Sequence, residues 1–235
     1  MDVVDFKDKH KGQRCFVIGN GPSLTPEILD KLRNEYTIAV NRIGKIFNRT
    51  DWRPTYYVGI TTALNDARHK KDIIAAIKSA QVAFCWDYYN SEETVGKLTN
   101  VVYLPCSNVD YKKPPEEAKD SFWSDDIGKR LDKFGVAVFS ALQVAAYMGF
   151  DLIYLIGCDG GYTRPVDGKD YSHFDKAYRP FDACNQYNYD ELNRALLRAH
   201  EIAQAAADRR GFKIVNLSPI SQITAHEKAN LEDVL

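Results

Sequence analysis

No Cys-x-x-Cys pair occurs in the chain, and its five cysteines are scattered at Cys15, Cys85, Cys106, Cys158 and Cys184. Neither a zinc knuckle nor a disulfide framework is built from such spacing. Cys15, Cys85 and Cys158 sit in apolar runs, which marks them as small core residues of a protein held in a reducing compartment. An excess of one charge is missing too. Lys plus Arg number 31 and Asp plus Glu 32, a formal net charge of −1, so the basic surplus of a dedicated nucleic-acid binder is not there. Long hydrophobic runs are also absent. The best candidate, Val136 to Met148, is interrupted by Ser140 and Gln143 and falls short of the ~18 apolar residues of a membrane span. The segment Met1 to His10 is charged and has no apolar core, so it does not read as a secretory signal, and a cytoplasmic location is expected.

What remains is ordinary globular material: 235 residues, 45% apolar and 27% charged, enough to bury a substantial core. Apolar runs alternate with helical patterns, the signature of an α/β protein with a mostly parallel sheet. Strands are expected at Cys15 to Ile18, Tyr36 to Val40, Tyr56 to Ile60, Val82 to Cys85, Val101 to Leu104, Leu152 to Ile156 and Phe212 to Leu217. Helices are expected after the capping Thr25 and Pro26, over Asp66 to Ala80, over Val136 to Met148 with Gly149 ending it, and from Asp190 to Gly211. Two irregular stretches break the rhythm. Cys106 to Lys133 carries Pro114-Pro115 and Phe122-Trp123 and reads as a lid-like insert, and Gly160 to Asn188 is polar and aromatic. No repeat or interdomain linker stands out, so residues 1–235 read as one three-layer domain.

Gly19-Asn20-Gly21-Pro22-Ser23-Leu24 lies between the first strand and a helix, where such sheets bind phosphates through glycine-rich backbone and helix N-terminal N–H groups. It lacks Gly-Lys-Ser/Thr, so it is not a P-loop, and Leu24 stands where a dinucleotide fingerprint has Gly or Ala. The second strand ends in Asn41, a neutral residue suited to a ribose or base. A tight turn that needs glycine for geometry alone is the plainer alternative. Gly157 to Tyr162 follows the central strand and can face the same crevice. Asp159 there can hold a metal, hold a sugar hydroxyl, or cap the turn. Of the five histidines, His173 in Tyr171-Ser172-His173-Phe174 is the best general-base candidate. His10 and His69 lie among charges and are expected in solvent, while His200 reads as a surface or packing residue. Arg164, Tyr178 and Arg179 can pair with phosphate or carboxylate, or belong to a solvated loop.

Taken together, Cys15 to Leu24, Val40-Asn41, the stretch from Ala141 through Gly149 to Asp159, Ser172-His173-Phe174 and Phe212 to Pro219 resemble the bacterial sialyltransferase-like superfamily. That superfamily includes the 6-hydroxymethyl-dihydropterin diphosphokinase-like proteins and motility-associated glycosyltransferases. The likeness runs in order over most of the chain and is weakest from Thr61 to Lys133. It implies a Rossmann-like sheet with a lid and a glycosyltransferase that uses a CMP-activated sugar, such as sialic acid or a related nonulosonic acid, and a glycan acceptor. No metal or other cofactor would be required. Gly19, Asn20, Gly21, Ser23 and Asn41 would contact the nucleotide donor. Tyr162 and Tyr171 would hold the leaving phosphate, and a histidine would take the acceptor's proton. Two positions depart from the pattern. Ala177 stands where the sialyltransferases carry their basic histidine, leaving His173 as the counterpart of the first histidine. Thr61 stands where a donor-binding Asn ends the third strand.

Two other functions remain open at this level. A diphosphokinase would need magnesium and convergent carboxylates, for which Asp159 with Asp167 or Asp170 are the candidates. A non-catalytic nucleotide-binding protein is favoured by Ala177. Self-association into a homo-oligomer is left open.

Overall fold

The computed structural model describes residues 1–107, 122–134, 136–179 and 188–235. The apolar runs of the first half become β1 (Arg14–Ile18), β2 (Thr37–Val40), β3 (Tyr56–Gly59), β4 (Val82–Trp86) and β5 (Val101–Leu104). Two short strands follow, β6 (Cys106–Ser107) and β7 (Leu131–Asp132), and then β8 (Leu152–Ile156), β9 (Lys213–Asn216) and β10 (Glu227–Lys228). The main sheet has the order β10-β9-β8-β1-β2-β3-β4-β5, and each of its neighbouring pairs is parallel. The chain winds outward from β1 to β5, then returns to the other side of β1 for β8 to β10. The reversal leaves a crevice between the carboxyl ends of β1 and β8, the position at which open α/β sheets take ligands.

Successive residues of a strand point to opposite faces, and β1 shows the consequence. Cys15 and Val17 join the core on the side of α4 (Ala137–Tyr147) and α5 (Tyr189–Arg210). Phe16 and Ile18 join the core on the side of α1 (Pro26–Lys31), α2 (Ala67–Ser79) and the short α3 (Glu93–Gly96). A sheet buried on both faces needs apolar residues at consecutive positions, which is why its strands read as unbroken runs. The helix ends follow their local signals. Thr25 accepts from the Ile28 N–H at 3.4 Å, Asp66 from the Arg68 N–H at 2.9 Å, and Gly211 ends α5 at φ 79°.

The insert is described only at 106–107 and 122–133; Pro114-Pro115 falls in 108–121, outside the described residues. Trp123 is 4% exposed, edge-on to Phe139 at 5.7 Å and stacked on Phe212 at 6.2 Å. Ser140 and Gln143, the polar interruptions of α4, hold this segment to the core. Gln143 Oε1 accepts from the backbone N–H groups of Ser124 and Asp132 at 3.1 and 3.2 Å. Its Nε2 and the Ser140 hydroxyl both donate to the Asp132 carbonyl, each at 2.8 Å. No helix among the described residues is long and apolar enough to cross a membrane.

Candidate functional site

The loops after β1 and β8 are bonded to each other. Gly19 N–H donates to the Ile156 carbonyl, Gly21 N–H to the Gly157 carbonyl and Ser23 N–H to Asp159 Oδ2, each at 2.8 Å. A Cβ on Gly19 would overlap the Gly157 carbonyl, and one on Gly21 would overlap that carbonyl and the Asp159 carboxylate. Close approach of two backbones therefore requires glycine at both positions. The N–H groups of Gly19, Gly21, Ser23 and Leu24 are thus engaged inside the protein, and α1 is only six residues long. What the crevice presents is side-chain oxygen. Asn20 Nδ2 donates to the Val40 carbonyl at 3.0 Å, which fixes the amide orientation and leaves Oδ1 buried without a hydrogen-bond partner. Asn41, in the left-handed region at φ 48°, has an unpartnered buried Oδ1 as well. Asp159 Oδ1 is a third. Burial pushes the Asp159 carboxyl above the usual carboxylate range, against the opposing pull of Ser23.

These residues line a cavity of about 280 Å³ together with Tyr162, Ser172, His173, Tyr178 and Arg179. The segment 170–179 is built around a carboxylate. Asp170, 1% exposed, accepts from Ser172 N–H at Oδ1 and lies 2.8 Å from His173 Nδ1 at Oδ2. Burial raises the Asp170 carboxyl, but the hydrogen bonds from His173 and Ser172 N–H and the Arg179 charge outweigh it and hold the group below the usual range. An ionised carboxylate only accepts, so His173 Nδ1 carries the proton and Nε2 keeps its lone pair. Burial lowers the His173 ring below its ordinary 6.5, with Asp170 pulling the other way. The ring is stacked on Tyr178 at 4.0 Å and 4°. Arg42 anchors this segment. It donates from its backbone N–H to the Tyr178 hydroxyl at 3.3 Å and from Nη1 to the Tyr178 carbonyl, and pairs with Asp72 at 2.7 Å. The Arg179 guanidinium lies over the Tyr162 ring at 4.5 Å. Burial raises the Tyr162 hydroxyl pKa, opposed by Arg179. A neutral histidine with a free lone pair, beside an arginine and a tyrosine, can take a proton while charge develops on a departing phosphate.

Of the residues singled out by sequence, Gly19, Asn20, Gly21, Asn41, Asp159, Tyr162, His173, Tyr178 and Arg179 meet at this cavity. Others do not. Ser23 lines a separate pocket of about 230 Å³ with Leu217, Ser218 and Leu231. Thr61 lies beyond the end of β3, outside the cavity lining, where its carbonyl accepts from the Tyr89 hydroxyl at 2.7 Å. Tyr171 is 47% exposed, beneath the Lys176 ammonium at 4.9 Å, on the outer side of the segment. Arg164 is exposed over Tyr189. Asp167 is exposed on a turn, and both Asp170 oxygens accept hydrogen bonds within the segment, from Ser172 N–H and His173 Nδ1. Among the described residues no three His, Cys, Asp or Glu side chains form a group able to hold a metal ion. His10 is not in solvent: it is 4% exposed, stacked on Phe150 at 4.4 Å and bonded to the Tyr56 hydroxyl at 2.7 Å. Sequence reasoning missed Arg42, and read Asp170 only as a metal candidate, although the Asp-x-x-His spacing to His173 was there to see. It also missed that His200 lines the cavity.

The family described as 6-hydroxymethylpterin diphosphokinase MptE-like matches residues 1–165. The chain belongs to this MptE-like family. The matched span holds the β1 and β8 loops, whereas Asp170, His173 and His200 follow it. Solved structures share the fold. The sialyltransferase CstII from Campylobacter jejuni, in complex with cytidine-5'-monophosphate, is 12% identical with a TM-score of 0.52, over 93% of this chain and 85% of that one. The MAf glycosyltransferase from Magnetospirillum magneticum AMB-1 is 16% identical with a TM-score of 0.53. That match takes in 99% of this chain but only 38% of the larger protein. At such identities the likeness is one of fold. No curated protein matches the sequence.

Proposed function

We propose that this MptE-like protein is a glycosyltransferase that moves a sugar from a CMP-activated donor to a hydroxyl of a glycan acceptor. Sialic acid and related nonulosonic acids are the donor sugars of choice. The observation that carries this reading is the Asp170–His173 pair in the crevice, with Nδ1 tied to the carboxylate at 2.8 Å and Nε2 free to act. His173 Nε2 takes the proton from the acceptor hydroxyl as its oxygen bonds to the anomeric carbon, and the bond from that carbon to the phosphate oxygen breaks. Arg179 and the Tyr162 hydroxyl stabilise the charge left on the phosphate, a role that needs no metal. Asn20 and Asn41 offer buried carbonyl oxygens to ribose hydroxyls or to the amino group of the base. Asp170 orients the base as a carboxylate does in a catalytic triad.

A thermal-shift panel of CMP, CDP, UDP, GDP, ATP and CMP-sialic acid, each with magnesium and with EDTA, tests this without a known acceptor, because a bound ligand raises the melting temperature by mass action. Stabilisation by CMP or CMP-sialic acid that survives EDTA is the expected result. Stabilisation by ATP only with magnesium would instead favour a diphosphokinase, the activity named in the family's description, with the unpaired oxygen of Asp159 facing the metal. A nucleotide that binds but is never turned over in an acceptor screen would point to a non-catalytic nucleotide-binding protein.

A further inference from the structure

The transfer chemistry uses one side of the cavity. The other side is apolar, walled by Val136 and Val138 at the start of α4, by Leu192 and Leu196 of α5, and by Ile223. Among the described residues one polar side chain stands with them: His200, itself 2% exposed. A chain of hydrogen bonds fixes its tautomer. The Asp208 carboxylate accepts from Gln204 Nε2 at 2.8 Å, which orients that amide. Gln204 Oε1 is then an acceptor 2.8 Å from His226 Nδ1, so this nitrogen carries the proton. His226 Nε2 is left bare and accepts from His200 Nδ1–H at 2.9 Å. His200 Nε2 therefore carries a lone pair and has no partner among the described residues. Burial lowers both rings, His200 to about 3 and His226 to about 4, so His200 stays neutral near pH 7 and its Nε2 stays an acceptor.

A neutral acceptor set in an apolar wall selects for a matching pattern: one N–H donor attached to a small apolar body. An acylamino group has that pattern, with its amide N–H beside a short alkyl chain. A free ammonium would lose its hydration for a single neutral partner, and a hydroxyl would leave the apolar wall unfilled. We propose that His200, Val138, Leu192, Leu196 and Ile223 form a recognition subsite for an N-acylamino substituent on a sugar substrate. The proposal rests on the reading of the cavity as a nucleotide-sugar site.

The test is a calorimetric titration with three arms. CMP alone on the wild type checks the nucleotide reading; no binding would remove that reading and the subsite with it. The second arm compares two CMP-activated sugars that differ only in an N-acetyl or a hydroxyl substituent. The third, with saturating CMP, compares N-acetylated and hydroxylated methyl glycosides as acceptors. The wild type is expected to bind the N-acetyl member about tenfold more tightly in one of the two pairs, and the pair concerned tells whether the group belongs to donor or acceptor. The ratio should collapse in His200→Leu and in Leu196→Phe, which fills the wall and replaces no residue of the histidine relay. It should persist in His200→Gln, which keeps a carbonyl acceptor. Because the readout is a ratio, a general loss of stability does not move it. CMP binding with no N-acetyl preference in either pair, or a preference that survives in both His200→Leu and Leu196→Phe, would overturn the subsite.

Discussion

Nε2 of His173 works only while it is unprotonated, and its surroundings set the pH at which that holds. Burial lowers the ring below 6.5 and Asp170 opposes the shift, so kcat/KM should rise with pH with the midpoint of the rise below that value. His173→Ala should lower kcat by about 10²–10⁴-fold with little change in nucleotide affinity. Unchanged turnover would remove it as the base. Asp170→Asn removes the carboxylate that raises the ring pKa, so the acid limb should move to still lower pH while kcat falls; a limb that stays in place would deny the pairing. Asn20→Ala removes both an unpartnered acceptor and the strut to the Val40 carbonyl. Calorimetry should show CMP binding weakened by roughly 0.5–1.5 kcal/mol, the net worth of a hydrogen bond. At this scale sequence reading found residues that occupy marked places, such as Asn41 at the end of a strand. It did not find residues whose meaning lies in a distant partner. Arg42 with Asp72, and His200 with His226, are 30 and 26 residues apart, and no local pattern joins them.

Among the elements, the main strands were readable because a parallel strand buried on both faces needs a continuous apolar run. The two-residue strands β6, β7 and β10 are too short to carry any period and were not anticipated. The insert reads from sequence as a lid or a mobile loop because it is long and irregular, and sequence alone does not show that Gln143 reaches back to fasten Ser124 and Asp132. Gln143→Leu would leave the buried Ser124 and Asp132 N–H groups without their acceptor, while the Asp132 carbonyl keeps the Ser140 hydroxyl. Each buried polar group left unsatisfied costs about 1–3 kcal/mol, so urea denaturation should show a large loss; a variant as stable as the wild type would contradict the anchoring role. The junction of the β1 and β8 loops makes a similar demand. Gly21→Ala pushes a methyl group into backbone and carboxylate together and should destabilise by about 1–3 kcal/mol.

Over the whole molecule, burial sets the pH response. The rings of His10, His173, His200 and His226 all titrate below 6.5, with burial as the leading cause. An unfolded chain takes up protons at these positions from about pH 6.5 downward, while the folded chain resists until lower pH. Stability from these groups is therefore complete above pH 6.5 and is lost as pH falls towards the folded values, about 4 for His226 and about 3 for His200. The urea midpoint should drop steadily from pH 7 to pH 5, and a flat profile over that range would mean that the rings are not held neutral by the fold.

The exposed turn joining the two halves of the site has a practical use. Val166 and Lys169 pair across it, and its tip at Asp167 and Gly168 projects into solvent, directly between the β8 loop and the segment that carries His173. Three of the native thiols, at Cys15, Cys85 and Cys158, are buried. An environment-sensitive fluorophore attached through Asp167→Cys would sit a few residues from both walls of the crevice. Its emission would report ligand arrival in real time, turning the protein into its own optical sensor for screening donors and acceptors.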